Sequence, residues 1–202
     1  MSPLTGIQGV IFDLDGTLVE SELNFTHIKQ ELACPLNIDI LDFIDALPTH
    51  IERQRAHDII IQHETNDAQN AKALPNMHPL LNTLKTLSLP CAIVTRNSKA
   101  ATATKLTQNN IDIDLVLTRE CYPAKPAPDA LLAIAKQWQL PAKKLIYVGD
   151  YLYDIQAAKN AGMTSVFINH HKQPDYQTQA DVIVNNLAQL QQAIQASNPA
   201  ST

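Results

Sequence analysis

Along the 202 residues, short apolar runs that stop at polar residues alternate with longer stretches whose apolar positions recur every three or four residues. The runs at 9–12, 91–95, 115–118, 144–149, 165–169 and 181–184 predict β-strands, and residues 79–88, 98–109, 128–139 and 151–161 predict helices. Strand and helix alternating through short connections specify an α/β fold, a parallel sheet covered by helices. In such a sheet the site lies at the carboxyl ends of the strands, where the strand order reverses. Residues 20–74 break the alternation. They contain no strand pattern and read as two or three helices, the last opening on a capping box of Thr49 and Glu52 and running to about Ala73. An all-helical insertion directly after the first strand is placed as a lid over the strand ends. The chain thus divides into a core of 1–19 and 75–202 and a lid of 20–74. Residues 186–196 predict a closing helix and 197–202 a disordered tail.

The strand ends carry the chemistry. The first run delivers Asp13-Leu14-Asp15-Gly16-Thr17. In extended backbone, residues i and i+2 point to the same side, so Asp13 and Asp15 can flank one reacting group. Gly16 permits a sharp turn, and Thr17 sets a hydroxyl beside the pair. Two carboxylates so close repel each other and want a cation; Mg²⁺, which takes oxygen ligands, fits. A plain strand followed by an Asp-Gly turn has the same local sequence, so the other strand ends decide between the readings. The second strand ends in Thr95-Arg96-Asn97, where a hydroxyl and the backbone N–H groups opening the next helix suit phosphate oxygens. Lys125 stands in Ala124-Lys125-Pro126-Ala127-Pro128-Asp129, whose prolines restrict the backbone, and supplies a cation for clustered carboxylates and a phosphate. The fourth strand ends in Gly149-Asp150, with Asp154 one helical turn on. Asp150 is placed to ligate the metal, and Asp154 to orient its ligands or Lys125.

Charge changes the picture of the lid. Residues 20–74 hold ten acids against four bases, a net −6, while the rest of the chain carries +1. An acidic lid and no basic run exclude nucleic acid and anionic membrane as natural partners. No apolar run approaches the roughly 20 residues that span a membrane, and the N-terminus lacks the pattern of a signal peptide. Cys34, Cys91 and Cys121 match no metal spacing and predict buried or free thiols in a reducing cytoplasm.

In order, over nearly the whole chain, the four segments resemble the motifs of the haloacid dehalogenase-like superfamily. Asp13-Leu14-Asp15-Gly16-Thr17 is similar to the first motif, Thr95 to the second, Lys125-Pro126 to the third and Gly149-Asp150-Tyr151-Leu152-Tyr153-Asp154 to the fourth. The insertion lies where the phosphoglycolate phosphatase-like branch carries its helical cap, here a short one. The resemblance implies a Rossmann-like core and hydrolysis of a phosphomonoester through an aspartyl-phosphate. Asp13 would attack, Asp15 would protonate the leaving oxygen and then activate water, and Mg²⁺ and Lys125 would offset phosphoryl charge. It further implies Mg²⁺ on Asp13, Asp150 and the backbone carbonyl of Asp15, with Thr95 and backbone amides near Leu14 and Arg96 holding the phosphoryl group. A phosphosugar mutase keeps every motif. A metal-free dehalogenase shares the fold but lacks an acid at the position of Asp15, and a catalytically silent phosphate-binding module is the reading outside enzymology.

Specificity rests on fewer residues. Arg96, with Asn97 beside the phosphate position, is the candidate for a substrate carboxylate or second phosphate, because a guanidinium binds planar anions bidentately. His50, Arg53 and His57 share a face of the predicted lid helix, turned to substrate or to solvent. Nothing in the sequence pairs His170 and His171 with a metal site, and Trp138 reads as core rather than a stacking platform. A lid of this charge admits small phosphorylated metabolites with one or two anionic groups, such as a phosphorylated hydroxy acid, sugar phosphate or nucleoside monophosphate. A cytoplasmic monomer or weak dimer is expected.

Overall fold

The computed structural model describes residues 3–170 and 174–198. Six parallel strands form one sheet in the order β3-β2-β1-β4-β5-β6, with β1 at Gly9–Phe12, β2 at Cys91–Val94, β3 at Leu115–Leu117, β4 at Leu145–Gly149, β5 at Thr164–Ile168 and β6 at Val182–Val184. Every strand lies within a residue or so of its sequence expectation. Between β1 and β2 come α1 (Phe25–Glu31), α2 (Ile40–Asp45), α3 (His50–Ala68) and α4 (Met77–Thr86). Helices α5 (Lys99–Gln108), α6 (Asp129–Trp138), α7 (Leu152–Ala161) and α8 (Leu187–Ser197) complete the order.

Both faces of the sheet are covered, so its central strands bury every residue, and alternation divides them between two cores. Val10, Phe12, Ile146 and Val148 pack with Leu80, Leu84, Leu190 and Ile194 of α4 and α8. Ile11, Leu145 and Tyr147 pack on the opposite side with Leu131 and Ile134 of α6 and Ala157 and Ala158 of α7. Trp138 rests half-buried against this second cluster, as core. Strand β1 pairs with β2 on one side and β4 on the other, so the order reverses at the strand that delivers Asp13.

The inserted helices bury a small core of their own, Ile28, Ile40, Ile44, Ala56 and Ile60. The capping box opens α3: Thr49 N donates to Glu52 Oε2 at 3.0 Å, and Glu52 N donates to Thr49 Oγ1 at 3.2 Å. The helix ends at Ala68 rather than near Ala73, because the chain there turns back to pair with the segment leaving β1. Glu20 N donates to Lys72 O at 2.7 Å and Leu74 N to Leu18 O at 2.9 Å, so the two connections cross side by side. At the C-terminus, Ser197 closes α8 and Asn198 Nδ2 donates to Leu4 O at 3.3 Å, so the expected free tail does not begin at 197. Residues 199–202 and His171 lie outside the described residues. Cys34 is buried, Cys91 half-buried and Cys121 exposed, all as free thiols. No helix among the described residues is long and apolar enough to cross a membrane.

Candidate active site

Asp13 leaves β1 at its carboxyl end and meets Lys125 from the loop before α6. Lys125 Nζ lies 2.7 Å from Asp13 Oδ1 and 2.7 Å from Asp154 Oδ1. Asp154 is the most constrained of the three. Its Oδ1 also lies 3.2 Å from the Tyr147 hydroxyl, itself 2.9 Å from Val94 O, and its Oδ2 accepts from Tyr151 N at 3.0 Å. It is thus committed to holding Lys125, one of the two tasks expected of it. Asp13, Asp150 and Asp154 each bring a carboxylate oxygen within 4.8 Å of the others. Burial pushes the Asp13 carboxyl up to about 7: loss of water outweighs the attraction of Lys125, and Asp154 and Asp15 add repulsion. Burial opposes the charge of Lys125, but Asp13 and Asp154 outweigh it and raise its pKa.

Two glycines make this approach possible. Gly16 has φ +70°, and a Cβ there would collide with the Asp150 carboxylate; at Gly149 it would collide with the Asp154 side chain. Gly16→Ala is expected to displace the Asp150 carboxylate, lowering stability by about 1–3 kcal/mol and divalent-cation affinity by roughly 10-fold or more. Urea unfolding and an Mg²⁺ titration followed by thermal shift would read both, and an unchanged cation response would remove Asp150 from the cluster.

Asp15 is held by two donors of its own. Asn97 Nδ2 donates to its Oδ2 at 2.8 Å, and Lys105 Nζ lies 2.6 Å from its Oδ1. Lys105 reaches here from α5 wholly buried, and its ammonium also lies 2.6 Å from Asp67 Oδ2 of α3. Burial raises the Asp15 pKa, with Lys105 and Asn97 pulling the other way. The Asn97 amide, expected at a ligand, is spent on Asp15. Thr95 is buried beside it, and Asn97 N donates to Thr95 Oγ1 at 3.2 Å. Leu14 and Thr17 are fully buried; the Thr17 hydroxyl, expected beside the carboxylates, has no hydrogen-bond partner among the described residues and does not line the cavity.

A cavity of about 710 Å³ opens over these residues, with the helical insertion as its roof. Arg96 is on its wall, but its guanidinium is engaged: Nη2 lies 2.6 Å from Asp39 Oδ1 at the start of α2, Nη1 donates to Lys125 O at 3.0 Å, and the group lies 4.8 Å over the Tyr153 ring. Deeper in the roof, buried Glu64 of α3 pairs with Arg119 and accepts from Ser98 N at 3.0 Å, while Arg119 Nη1 donates to Arg96 O at 2.6 Å. His170 Nε2 lies 2.6 Å from Gly16 O and also lines the cavity. His50, Arg53 and His57 do not line it: Arg53 Nη1 donates to Leu47 O within the roof, and His57 faces a smaller cleft beside Arg119 and Tyr122.

Lys105, Asp39, Glu64, Asp67, Arg119 and Tyr147 were not foreseen from the sequence. Two of them left a signal. The inward-facing stripe of α3 reads Ala56, Ile60, Glu64, Ala68, and that of α5 reads Ala101, Thr102, Lys105. A charge on an inward stripe marks a buried partner.

The family model for "Haloacid dehalogenase-like hydrolase" matches residues 10–168. An uncharacterized hydrolase of Saccharomyces cerevisiae is 31% identical over 217 residues, covering 100% of both chains. A phosphoglycolate phosphatase of Vibrio vulnificus is 27% identical and covers 91% of this chain and 94% of its own length. The crystal structure of a hydrolase from Pseudomonas syringae shares the fold with a TM-score of 0.78 at 22% identity, covering 91% of this chain and 95% of that one. With acids, lysine and helical insertion arranged as described, the chain belongs to the haloacid dehalogenase-like hydrolases, in their phosphoglycolate phosphatase-like branch.

Proposed function

We propose that the protein is a Mg²⁺-dependent phosphatase that hydrolyses a small phosphorylated metabolite through an aspartyl-phosphate on Asp13. One observation carries the reading: Asp13 stands at a strand end with Lys125 at 2.7 Å and Asp150 and Asp154 beside it, under a roofed cavity. The donors suit a hard cation, being oxygens only, and a buried Asp13 whose pKa is raised to about 7 is a carboxylate short of positive charge. Asp13, Asp150 and the backbone carbonyl of Asp15 would hold Mg²⁺, which supplies charge neutralisation at the phosphoryl oxygens.

Asp13 Oδ attacks phosphorus as the ester oxygen departs, and Lys125, oriented by Asp154, offsets charge on the transferring group. Thr95 and the backbone amides near Leu14 and Arg96 bind its oxygens. Asp15, its pKa raised by burial and its carboxylate steadied by Asn97 and Lys105, gives its proton to the leaving oxygen and then takes one from the attacking water. The curated relatives named phosphoglycolate phosphatases support monoester hydrolysis, and the roof supports a small substrate. The crossing near Val19 and Ala73 supports a core of 1–19 and 75–202 with a cap of 20–74. Three free thiols support a cytoplasmic setting; a monomer or weak dimer completes the reading.

Phosphate release from a generic monoester, stopped by excess EDTA and restored by Mg²⁺, is the expected result. A rearranged phosphoester without free phosphate would make it a mutase; tight phosphate binding without turnover would make it a binding module. Asp15→Asn is expected to slow alkyl phosphates at least 10-fold more than aryl phosphates, whose acidic leaving groups need little protonation. Equal losses on both series would take the acid role from Asp15.

A further inference from the structure

We infer that the substrate's leaving group is an apolar tail, and that the cap recognises this tail rather than a second anion; the inference rests on the phosphatase reading and names its substrate class. The cavity changes character along its length. Its floor is the charged cluster around Asp13, while its roof and mouth are faced by Leu23, Phe25, Leu36, Ile38, Leu41 and Tyr151. Phe25 is 61% exposed, Leu36 68%, Ile38 38% and Tyr151 52%; among the described residues these are half of the large apolar side chains left in water, and all four line this one cavity. Scattered apolar surface needs no explanation, but a concentration continuous with a reaction centre marks a binding wall.

The charges of the cap leave little for a second anion. Of the lysines and arginines lining the cavity, Lys29 alone has no acid partner among the described residues, and its Nζ donates to Leu36 O at 2.7 Å. Asp39 is on Arg96 and Glu64 on Arg119. At Arg96 a substrate carboxylate would have to compete with Asp39, and Glu20 adds a negative charge to the cavity lining. A space of about 710 Å³ is also far larger than a two-carbon phosphoester requires. Its size and lining fit a neutral aliphatic or aryl group of roughly four to eight carbons.

The test separates binding from turnover. The n-alkylphosphonates from methyl to octyl cannot be hydrolysed at the carbon–phosphorus bond, and their Kd would be measured by calorimetry on the full chain with saturating Mg²⁺. Kd is expected to fall about two- to fourfold per added methylene up to roughly six carbons, and 3-phosphonopropionate should bind more weakly than butylphosphonate. A Kd independent of chain length, or tighter binding of the carboxylate-bearing ligand, overturns the inference. Phe25→Ser with Leu36→Ser is expected to flatten the dependence at least twofold per methylene at the long end. Ile51→Ser, exposed on α3 outside the cavity, should leave it intact. An unchanged dependence in the double variant, with loss of a concentration-dependent dimer, would reassign the patch to contact between copies. Phosphate release from the matching alkyl phosphates, run in parallel, reports on hydrolysis alone: chain-length-dependent binding without release sinks the phosphatase reading and keeps the apolar site.

Discussion

Asparagine at position 13 is expected to abolish phosphate release, by on the order of 10⁴-fold or more, and to stabilise the metal-free protein at pH 8. In the proposed mechanism the first effect follows from losing the nucleophile and a metal ligand together. The second follows from burial, which raises the folded-state pKa of Asp13 from 3.8 to about 7. Between those values the folded protein keeps a proton that the unfolded chain has released, so stability falls as pH rises through the window, and the whole cost is present above it. Asparagine carries no charge and escapes that cost, while Lys125 keeps Asp154 as its partner. The gain in urea midpoint should therefore be largest at pH 8 and vanish as pH approaches 4. Mg²⁺ should reverse the ranking, raising the wild-type midpoint through binding to the folded state alone and moving the variant far less. A variant that releases phosphate, or one less stable than wild type at pH 8 without metal, contradicts the placement of Asp13.

How much of this was legible in the sequence depends on whether a residue announces itself by its neighbours. Asp13, Thr95 and Asp150 follow apolar runs whose ends the strand pattern fixes, and the parallel sheet then brings those ends together. Lys125 was readable because prolines frame it and because the carboxylates leave a cation to be supplied. The tie between cap and core was not readable, since each member is one charge on a helix or loop and the most economical account of such a charge is a solvated face. Asp39, Glu64 and Asp67 are three of the ten acids that gave residues 20–74 their −6, yet they face Arg96, Arg119 and Lys105 of the core. Part of the charge asymmetry between the lobes is thus a set of pairs across their boundary. The same pairing engages the guanidinium of Arg96, the residue expected to meet an incoming anion. Only three-dimensional proximity couples residues 57 positions apart.

The largest effect on stability is expected away from the reacting atoms, at Lys105. Its ammonium is buried completely between Asp15 and Asp67, and Asp67 in turn accepts from Ser21 Oγ at 3.0 Å and Glu22 N at 2.7 Å, where the chain enters the cap. Lys105→Met keeps the length of the side chain but leaves two carboxylates facing each other, Asp67 nearly buried and Asp15 at the cavity floor. Removing one partner from a buried ionic cluster costs about 3–5 kcal/mol, which urea unfolding would read as a shifted midpoint at constant slope. Lys105→Met combined with Asp67→Asn removes the surplus charge and should recover a substantial part of the loss, a coupling that independent sites would not show. Lys105 does not line the cavity, so it positions rather than binds. In a variant that remains folded, kcat should fall roughly 10- to 100-fold while KM changes little, because Asp15 loses the contact that steadies it for the proton transfer proposed above. A rise in KM at constant kcat would instead place Lys105 in substrate binding. A stability loss below about 1 kcal/mol would mean that its ammonium is solvated and that the cap is not anchored through it.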